Sequence, residues 1–157
     1  MDLDKLVELC AAMNREGVEY ILFGGAAVNL HGIFRVTEDF DFFVTPAATN
    51  VAAIKRALKL VWPDPEIDEI RDDDMLGEYP SVRYCPPGDE TLYIDFVSRL
   101  GEMFTFADLE SETHVVEGVP IRLATPATLD RMKRGTVRYK DRDDAARLRR
   151  KFNLPEE

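Results

Sequence analysis

Apolar residues recur along the chain with two spacings, and these spacings predict a mixture of helices and strands. Recurrence at every third or fourth position is typical of an amphipathic helix, whereas short apolar runs rich in β-branched and aromatic residues are typical of strands. The predicted helices are residues 3 to 15, 26 to 31, 47 to 61, 125 to 135 and 140 to 152. The predicted strands are residues 20 to 23, 39 to 44, 81 to 85 and 91 to 97, with two more between 113 and 124.

Glycine and proline mark the connections between these segments. Gly24 and Gly25 end the first strand before a helix. The run PPGDE at residues 86 to 90 predicts a hairpin turn, and the pair Glu117-Gly118 predicts a second one. The chain is therefore expected to alternate between helices and strands in its first half and to contain two hairpins in its second half.

Residues 63 to 80 interrupt this pattern. They are punctuated by proline, strongly acidic and without a sustained period, which predicts a surface loop. The remaining segments predict an α/β (α+β) fold, with a mixed sheet of about five strands flanked by helices. A length of 157 residues, 45% of them hydrophobic, fits a single domain that covers residues 1 to 157.

The composition predicts a soluble cytoplasmic protein with no membrane partner. No run approaches the roughly 18 apolar residues that a membrane span needs, and the N-terminus carries acidic residues where a signal peptide carries basic ones. Cys10 lies in a helical apolar pattern and Cys85 precedes two prolines. Both are predicted to be free, reduced thiols, because neither spacing suits a disulfide framework or a zinc site.

The net charge argues against a protein that binds nucleic acid over its whole surface. The formal net charge is −10, and binding to a polyanion depends on Lys and Arg. The distribution is uneven, because residues 130 to 151 hold ten Lys and Arg against four Asp, a net charge of +6, so the rest of the chain carries −16. This basic end is either a solvated helix or a patch that meets phosphates.

Three aspartates fall in predicted strands among apolar residues. Asp39 and Asp41 are separated by one residue, so their carboxylates project from the same face of the strand. Asp95 stands alone in an apolar strand, where an unpaired carboxylate costs several kcal/mol or becomes protonated. If the two strands are neighbours, three carboxylates converge, and Mg²⁺ takes such oxygen ligands together with substrate phosphates.

The order of motifs along the chain extends this pattern. A Gly-Gly turn between strand and helix lets backbone N–H groups approach a polyphosphate, although neither the Walker pattern nor G-x-G-x-x-G is present. The motif residues in chain order are Gly24, Gly25, Arg35, Thr37, Asp39, Asp41, Asp95, Lys133, Arg138, Lys140, Asp141 and Asp144. This order resembles the nucleotidyltransferase superfamily related to DNA polymerase beta. It is most similar to the small bacterial branch that includes the AbiEii-type abortive-infection toxins of toxin-antitoxin systems.

The resemblance implies transfer of a nucleoside monophosphate from an NTP to an acceptor, with release of pyrophosphate. The acceptor would be RNA, a protein or a small molecule. The resemblance also implies two Mg²⁺ ions, with Mn²⁺ as a substitute, bridged by Asp39 and Asp41, while Asp95 binds the ion on the nucleophile side and takes the proton. The implied nucleotide-binding residues are Gly24, Gly25, Arg35, Thr37 and Lys133.

Other functions suit the same residues. A regulatory or antitoxin-like module would bind nucleotide without turnover, and a phosphohydrolase would use clustered aspartates with water as the acceptor. Family members that transfer nucleotides commonly carry an additional helical domain that helps to bind the acceptor, and no such segment is predicted here. The sequence therefore leaves open the NTP, the acceptor and the oligomeric state, including a homo-oligomer.

Several of the motif residues also have structural interpretations. Arg35 and Lys133 equally suit surface or salt-bridging positions, because long basic side chains usually sit in solvent. His31 precedes a glycine at a helix end, which favours a C-terminal cap over catalysis. Asp141 and Asp144 lie where a helix begins, which favours pairing with Arg residues and with the positive end of the helix dipole.

Overall fold

The computed structural model describes residues 1–78, 80–102, 104–134 and 136–156, which form six α-helices and eight strands. The helices are α1 (Leu3–Arg15), α2 (Gly24–Leu30), α3 (Ala48–Val61), α4 (Asp72–Leu76), α5 (Pro126–Arg134) and α6 (Tyr139–Phe152). The strands are β1 (Tyr20–Phe23), β2 (Asp39–Val44), β3 (Ser81–Tyr84), β4 (Tyr93–Val97), β5 (Arg99–Leu100), β6 (Phe104–Thr105), β7 (Ser111–Val116) and β8 (Val119–Ala124). Each predicted helix and strand is present, with small differences at the ends.

Six of the strands form one mixed sheet in the order β3-β4-β2-β1-β8-β7, and β5 pairs separately with β6. β2 runs parallel to β4 and β1 runs parallel to β8, while the other three pairs are antiparallel. The prediction of an α/β fold with a mixed sheet is confirmed, and the sheet has six strands instead of about five. The β5–β6 pair is not predicted from the sequence, because two-residue strands are too short to show a period.

The core is built around aromatic residues of the two central parallel strands. Phe40, Phe42 and Phe43 of β2 and Phe96 of β4 are fully buried. The rings of Phe42 and Phe96 stack with their centroids 5.7 Å apart. Because side chains alternate along a strand, burial of Phe40 and Phe42 on one face directs Asp39 and Asp41 to the other face.

Residues 63 to 80 are not the surface loop that their composition predicts. A 3₁₀ helix (Pro65–Glu69) and α4 lie within this segment. Ile67 and Met75 are fully buried, and the Ser98 hydroxyl donates a hydrogen bond to the Met75 carbonyl at 2.7 Å. A few isolated apolar side chains therefore fix the segment to the core, although they are too widely spaced to produce a period.

Both predicted hairpins are confirmed. β3 and β4 pair in antiparallel fashion on either side of residues 86 to 90, and β7 pairs with β8. In the second hairpin Glu117 and Gly118 have φ angles of 51° and 81°. Two consecutive positive φ angles are typical of the tight turns that match the twist of paired strands.

The described residues contain no helix that is both long and apolar enough to cross a membrane. Both cysteines are free, as predicted, with Cys10 buried and Cys85 exposed. Burial raises the pKa of the Cys10 thiol to about 12. Because Cys85 is exposed and Cys10 is buried, Cys85 is the thiol that reagents in solution can reach.

Candidate functional site

The three predicted aspartates lie on two neighbouring strands of the sheet. β2 and β4 run parallel, and their register places Asp41 opposite Asp95 and Asp39 opposite Tyr93. Opposed residues project from the same face of a sheet, and so do residues two positions apart along a strand. The carboxylates of Asp39, Asp41 and Asp95 therefore share one face, because the two strands are neighbours, the condition on which their convergence depended.

Burial and mutual repulsion raise the pKa of two of these carboxyl groups. Burial is the largest cause of the rise in the pKa of Asp41 to about 7, the negative charges of Asp95 and Asp39 add to it, and the charge of Lys133 opposes it. Burial and the charge of Asp95 also raise the pKa of Asp39. The repulsion between these carboxylates is one that a bound cation would relieve.

Arg83 belongs to the site, and sequence reasoning missed it. It lies on β3 opposite Asp95, and two of its nitrogens donate hydrogen bonds to the two carboxylate oxygens of Asp95 at 2.8 and 3.1 Å. Its guanidinium also lies over the Tyr93 ring, 4.7 Å from the centroid. The Arg83 side chain is 56% exposed, so this ion pair is open to competition from solvent and ligands.

The Gly-Gly turn brings the backbone close to these side chains. Gly24 has a φ of 67°, and a Cβ atom added there would overlap the carboxylate of Asp41. A Cβ atom added at Gly25 would overlap the guanidinium of Arg35 and lie 3.0 Å from Thr37. Close approach therefore requires glycine at both positions, and at Gly24 the left-handed backbone requires it too.

Lys133 and Arg35 reach the site as members of a buried ion-pair network. Lys133 Nζ lies 3.2 Å from Asp141 Oδ1 and 3.0 Å from Asp144 Oδ2. Arg35 Nε lies 3.0 Å from the same Asp144 oxygen. The Lys133 side chain is only 8% exposed and that of Asp144 only 2%. Both cations are therefore salt-bridged, which is one of the two roles that the sequence allowed beside phosphate binding. Both also line the pocket described below.

Asp141 and Asp144 lie near the start of α6, as predicted, but their partners are not arginines alone. Burial by itself would raise the pKa of Asp141. The charge of Lys133 and hydrogen bonds from Thr136 and Lys133 outweigh burial, so the pKa of Asp141 is lowered. Asp141 therefore stays ionised, and together with Asp144 it holds the Lys133 ammonium in place between α5 and α6.

These side chains surround one pocket with a volume of about 510 Å³. The predicted site residues all line it: Gly24, Gly25, Arg35, Thr37, Asp39, Asp41, Asp95 and Lys133. Arg83, Arg138 and Lys140 add further positive charge to its walls. Its volume falls within the range of about 300–1,000 Å³ that is typical of small-molecule sites.

His31 is the C-cap residue of α2, as predicted, although its ring contacts a different part of the chain. Its backbone N–H donates to the Ala27 carbonyl, but its ring Nε2 lies 2.8 Å from the carbonyl oxygen of Ala124 at the end of β8. Within the described part of the chain, one set of three metal-ligating side chains has donor atoms all within 4.8 Å of one another: His31, Glu112 and His114. The three aspartates do not meet that spacing.

Comparison with protein-family models, with curated proteins and with solved structures finds no match to this chain. A mixed α/β sheet supports many unrelated activities, so the fold does not select one of them. The function is therefore inferred from the arrangement of the site.

Proposed function

We propose that this chain is a metal-dependent nucleotidyltransferase, which moves a nucleoside monophosphate from an NTP to an acceptor and releases pyrophosphate. The observation that carries the proposal is the register of two parallel strands, which sets Asp41 beside Asp95 with Asp39 on the same face. These carboxylates open into a pocket that also contains Lys133 and Arg35. Acidic groups for a cation beside basic groups for phosphates are the combination that phosphoryl chemistry requires.

The carboxylates have the donor chemistry that suits Mg²⁺, or Mn²⁺ in its place. Hard divalent cations take oxygen ligands and are bound by one or two carboxylates together with substrate phosphates. The raised pKa values of Asp41 and Asp39 support the fit, because a cation relieves the repulsion between carboxylates. Asp39, Asp41 and Asp95 would hold the metal. A bound divalent ion lowers the pKa of an attacking hydroxyl and neutralises charge on the triphosphate.

The triphosphate is assigned to the wall of the pocket formed by the glycine turn and the two buried cations. Lys133 and Arg35 are both held by Asp144, so they need little rearrangement to meet a new negative charge. The absence of side chains at Gly24 and Gly25 leaves room for the Asp41 carboxylate and the Arg35 guanidinium to lie against the backbone. Thr37 lies beside Gly25 and adds a hydroxyl group on the same side.

In the proposed reaction an acceptor oxygen forms a bond to the α-phosphorus, and the bond from that phosphorus to the pyrophosphate oxygen breaks. Pyrophosphate leaves with the electron pair of the broken bond, and Lys133 and Arg35 balance its charge. The acceptor hydroxyl gives its proton to Asp95. Because Arg83 donates two hydrogen bonds to Asp95, Arg83 must move aside before Asp95 accepts that proton.

The Arg83–Asp95 ion pair also favours a second candidate function, nucleotide binding without turnover. Arg83 already neutralises one of the three carboxylates, so a protein cation lies where part of a metal site is proposed. A regulatory or antitoxin-like module would keep the pocket and leave Arg83 in place. A nucleotidyltransferase would move the α-phosphate from the NTP to an acceptor, whereas a binding module would leave it in the NTP.

Both functions are tested by incubating the purified chain with each α-labelled NTP, Mg²⁺ or Mn²⁺ and a fractionated bacterial extract. We expect metal-dependent transfer of label to RNA, protein or a small molecule by the wild type. Asp41→Asn and Asp95→Asn should each abolish transfer while the fold stays intact, because they remove metal-binding charge and little volume. Asp73→Asn is the matched control, because Asp73 is exposed and does not line the pocket.

The possible outcomes separate the candidate functions. Transfer that survives in Asp41→Asn would contradict the site assignment. Metal-dependent binding of NTP without transfer, in the wild type and in Arg83→Gln, would favour the binding module. Release of free nucleotide or phosphate without a labelled acceptor would indicate a phosphohydrolase.

A further inference from the structure

Two histidines and a glutamate meet at a place that the proposed reaction does not use. His31 follows the end of α2, while Glu112 and His114 lie on β7, an edge strand of the sheet. Each of the three offers a ligand atom within 4.8 Å of those of the other two. The two imidazole rings lie edge to face, with their centroids 5.0 Å apart. None of these residues lines the nucleotide pocket.

The hydrogen bond of His31 fixes which of its ring nitrogens is available. Nε2 lies 2.8 Å from the carbonyl oxygen of Ala124. A carbonyl can only accept a hydrogen bond, so Nε2 carries the hydrogen and Nδ1 keeps the lone pair. A ligating histidine characteristically donates its other ring N–H to a carbonyl or a carboxylate in this way. Burial lowers the pKa of His31, so the ring is neutral near neutral pH, as ligation requires.

Glu112 and His114 complete the set from the strand. They are two positions apart on β7, so their side chains share one face. His114 Nε2 and Glu112 Oε2 lie 3.1 Å apart, and their side chains are 30% and 43% exposed. Both are therefore partly open to solvent, whereas only 6% of the surface of His31 is exposed.

We propose that His31, Glu112 and His114 form a binding site for a borderline transition-metal cation of the zinc type. Two imidazoles and one carboxylate are a ligand set that Zn²⁺ takes, and Mg²⁺ prefers oxygen ligands only. Zinc–nitrogen distances of about 2.0–2.1 Å place two ligands at most about 4.2 Å apart. His114 Nε2 and Glu112 Oε2 are 3.1 Å apart, which is within that limit. His114 would bind the metal through a ring nitrogen without a hydrogen, and its one N–H would lie on the other ring nitrogen.

The surroundings of the cluster are compatible with a divalent cation. The nearby positive charge is Lys151, whose ammonium donates to the Gly32 carbonyl at 3.1 Å, and the carboxylate of Glu112 offsets it. The Phe152 ring lies edge to face with His31, with centroids 5.7 Å apart, and covers that side of the cluster. The metal would join the end of α2 to β7, and the opposite end of the same helix carries Gly24 and Gly25 of the nucleotide pocket. Three protein ligands would leave one coordination position of a tetrahedral metal for water.

The test is a titration of the chelator-treated protein with Zn²⁺ by calorimetry and with Co²⁺ by visible absorption, in excess Mg²⁺ to occupy oxygen-only sites. Cys85→Ser serves as the parent, because an exposed thiol could bind either ion. We expect one Zn²⁺ ion per chain, and a Co²⁺ spectrum with the visible bands of a low-coordinate site. His114→Ala and Glu112→Gln should each weaken Zn²⁺ binding by at least about tenfold.

The Zn²⁺ affinities of the variants are compared with that of the parent. Asp41→Asn should bind Zn²⁺ as the parent does, because Asp41 belongs to the other site. The proposal is overturned if the parent binds no Zn²⁺, or if His114→Ala and Glu112→Gln both bind it as tightly as the parent. Because His114 and Glu112 are partly exposed, these variants leave the core intact and a loss of binding cannot be attributed to unfolding. Thermal unfolding with and without Zn²⁺ provides a second measurement, in which the parent and Asp41→Asn should be stabilised more than His114→Ala and Glu112→Gln.

Discussion

The raised pKa of Asp41 makes a prediction about folding stability that requires no knowledge of the substrate. In the metal-free protein the pKa of Asp41 is raised from 3.8 to about 7. The folded state therefore holds a proton that the unfolded chain has already released. Between these two pH values the native state binds more protons than the unfolded state, so stability falls as the pH rises. Asp41→Asn removes this titration, and the variant should lose less stability than the wild type over this range.

The size of the effect follows from the pKa change. One pH unit of pKa difference corresponds to about 1.4 kcal/mol, so full ionisation of Asp41 costs the folded protein at most about 4 kcal/mol. Neighbouring carboxylates share part of that cost, and Asp41→Asn should therefore be more stable than the wild type by about 2–4 kcal/mol at pH 8.5. Near pH 4 the two proteins should be equally stable, because Asp41 is then protonated in the fold.

The assay is urea unfolding in EDTA at several pH values between 4 and 8.5, followed by the fluorescence of Trp62. This residue is the one tryptophan in the sequence and it is 7% exposed, so its emission reports loss of the core. Asp73→Asn should follow the wild type at every pH. Adding Mg²⁺ at pH 8.5 should stabilise the wild type and not Asp41→Asn. An Asp41→Asn variant that is no more stable than the wild type at pH 8.5 would refute the reasoning.

Three further predictions concern the surroundings of the site and the segment before β3. Gly25→Ala should displace the Arg35 guanidinium and weaken NTP binding by about tenfold or more in a fluorescence titration; unchanged affinity would remove Arg35 from the binding site. Asp144→Asn should destabilise the fold by about 3 kcal/mol in urea unfolding, because it leaves Lys133 and Arg35 short of a buried partner; a change near zero would show that solvent screens the network. Ile67→Ala should cost about 2–4 kcal/mol in the same assay, whereas a true surface loop would lose almost nothing.

The order of helices and strands follows from local periodicity, and periodicity is readable in the sequence wherever an element is long. The 13-residue α1 and the six-residue β2 were predicted with their observed bounds. Periodicity did not predict the structure of residues 63 to 80, because burial there depends on single side chains such as Ile67 and Met75. Their contacts come from distant parts of the chain, for example Ser98, which no local pattern contains.

Some residues of the candidate site could likewise be predicted from local patterns, and others could not. Asp39 and Asp41 could be assigned to one face because alternation along a strand is a local rule, and Asp95 could be added because a carboxylate in an apolar strand is unusual. Arg83 could not be found, because its role depends on the register between β3 and β4. The grouping of His31 with His114 was equally hidden, since it depends on how α2 packs near the edge of the sheet.

The cations of the pocket differ in how firmly they are held, and this difference suggests how a ligand would enter. Lys133 is 8% exposed and lies between two aspartates, and breaking a buried pair of that kind costs about 3–5 kcal/mol. Arg83 is 56% exposed, and an exposed ion pair contributes only about 0–1 kcal/mol. A divalent cation that competes for the carboxylates would therefore displace Arg83 from Asp95 and leave Lys133 where it is. Under the proposed function, the metal would enter from the β3 side and the phosphates would meet cations whose positions are already fixed.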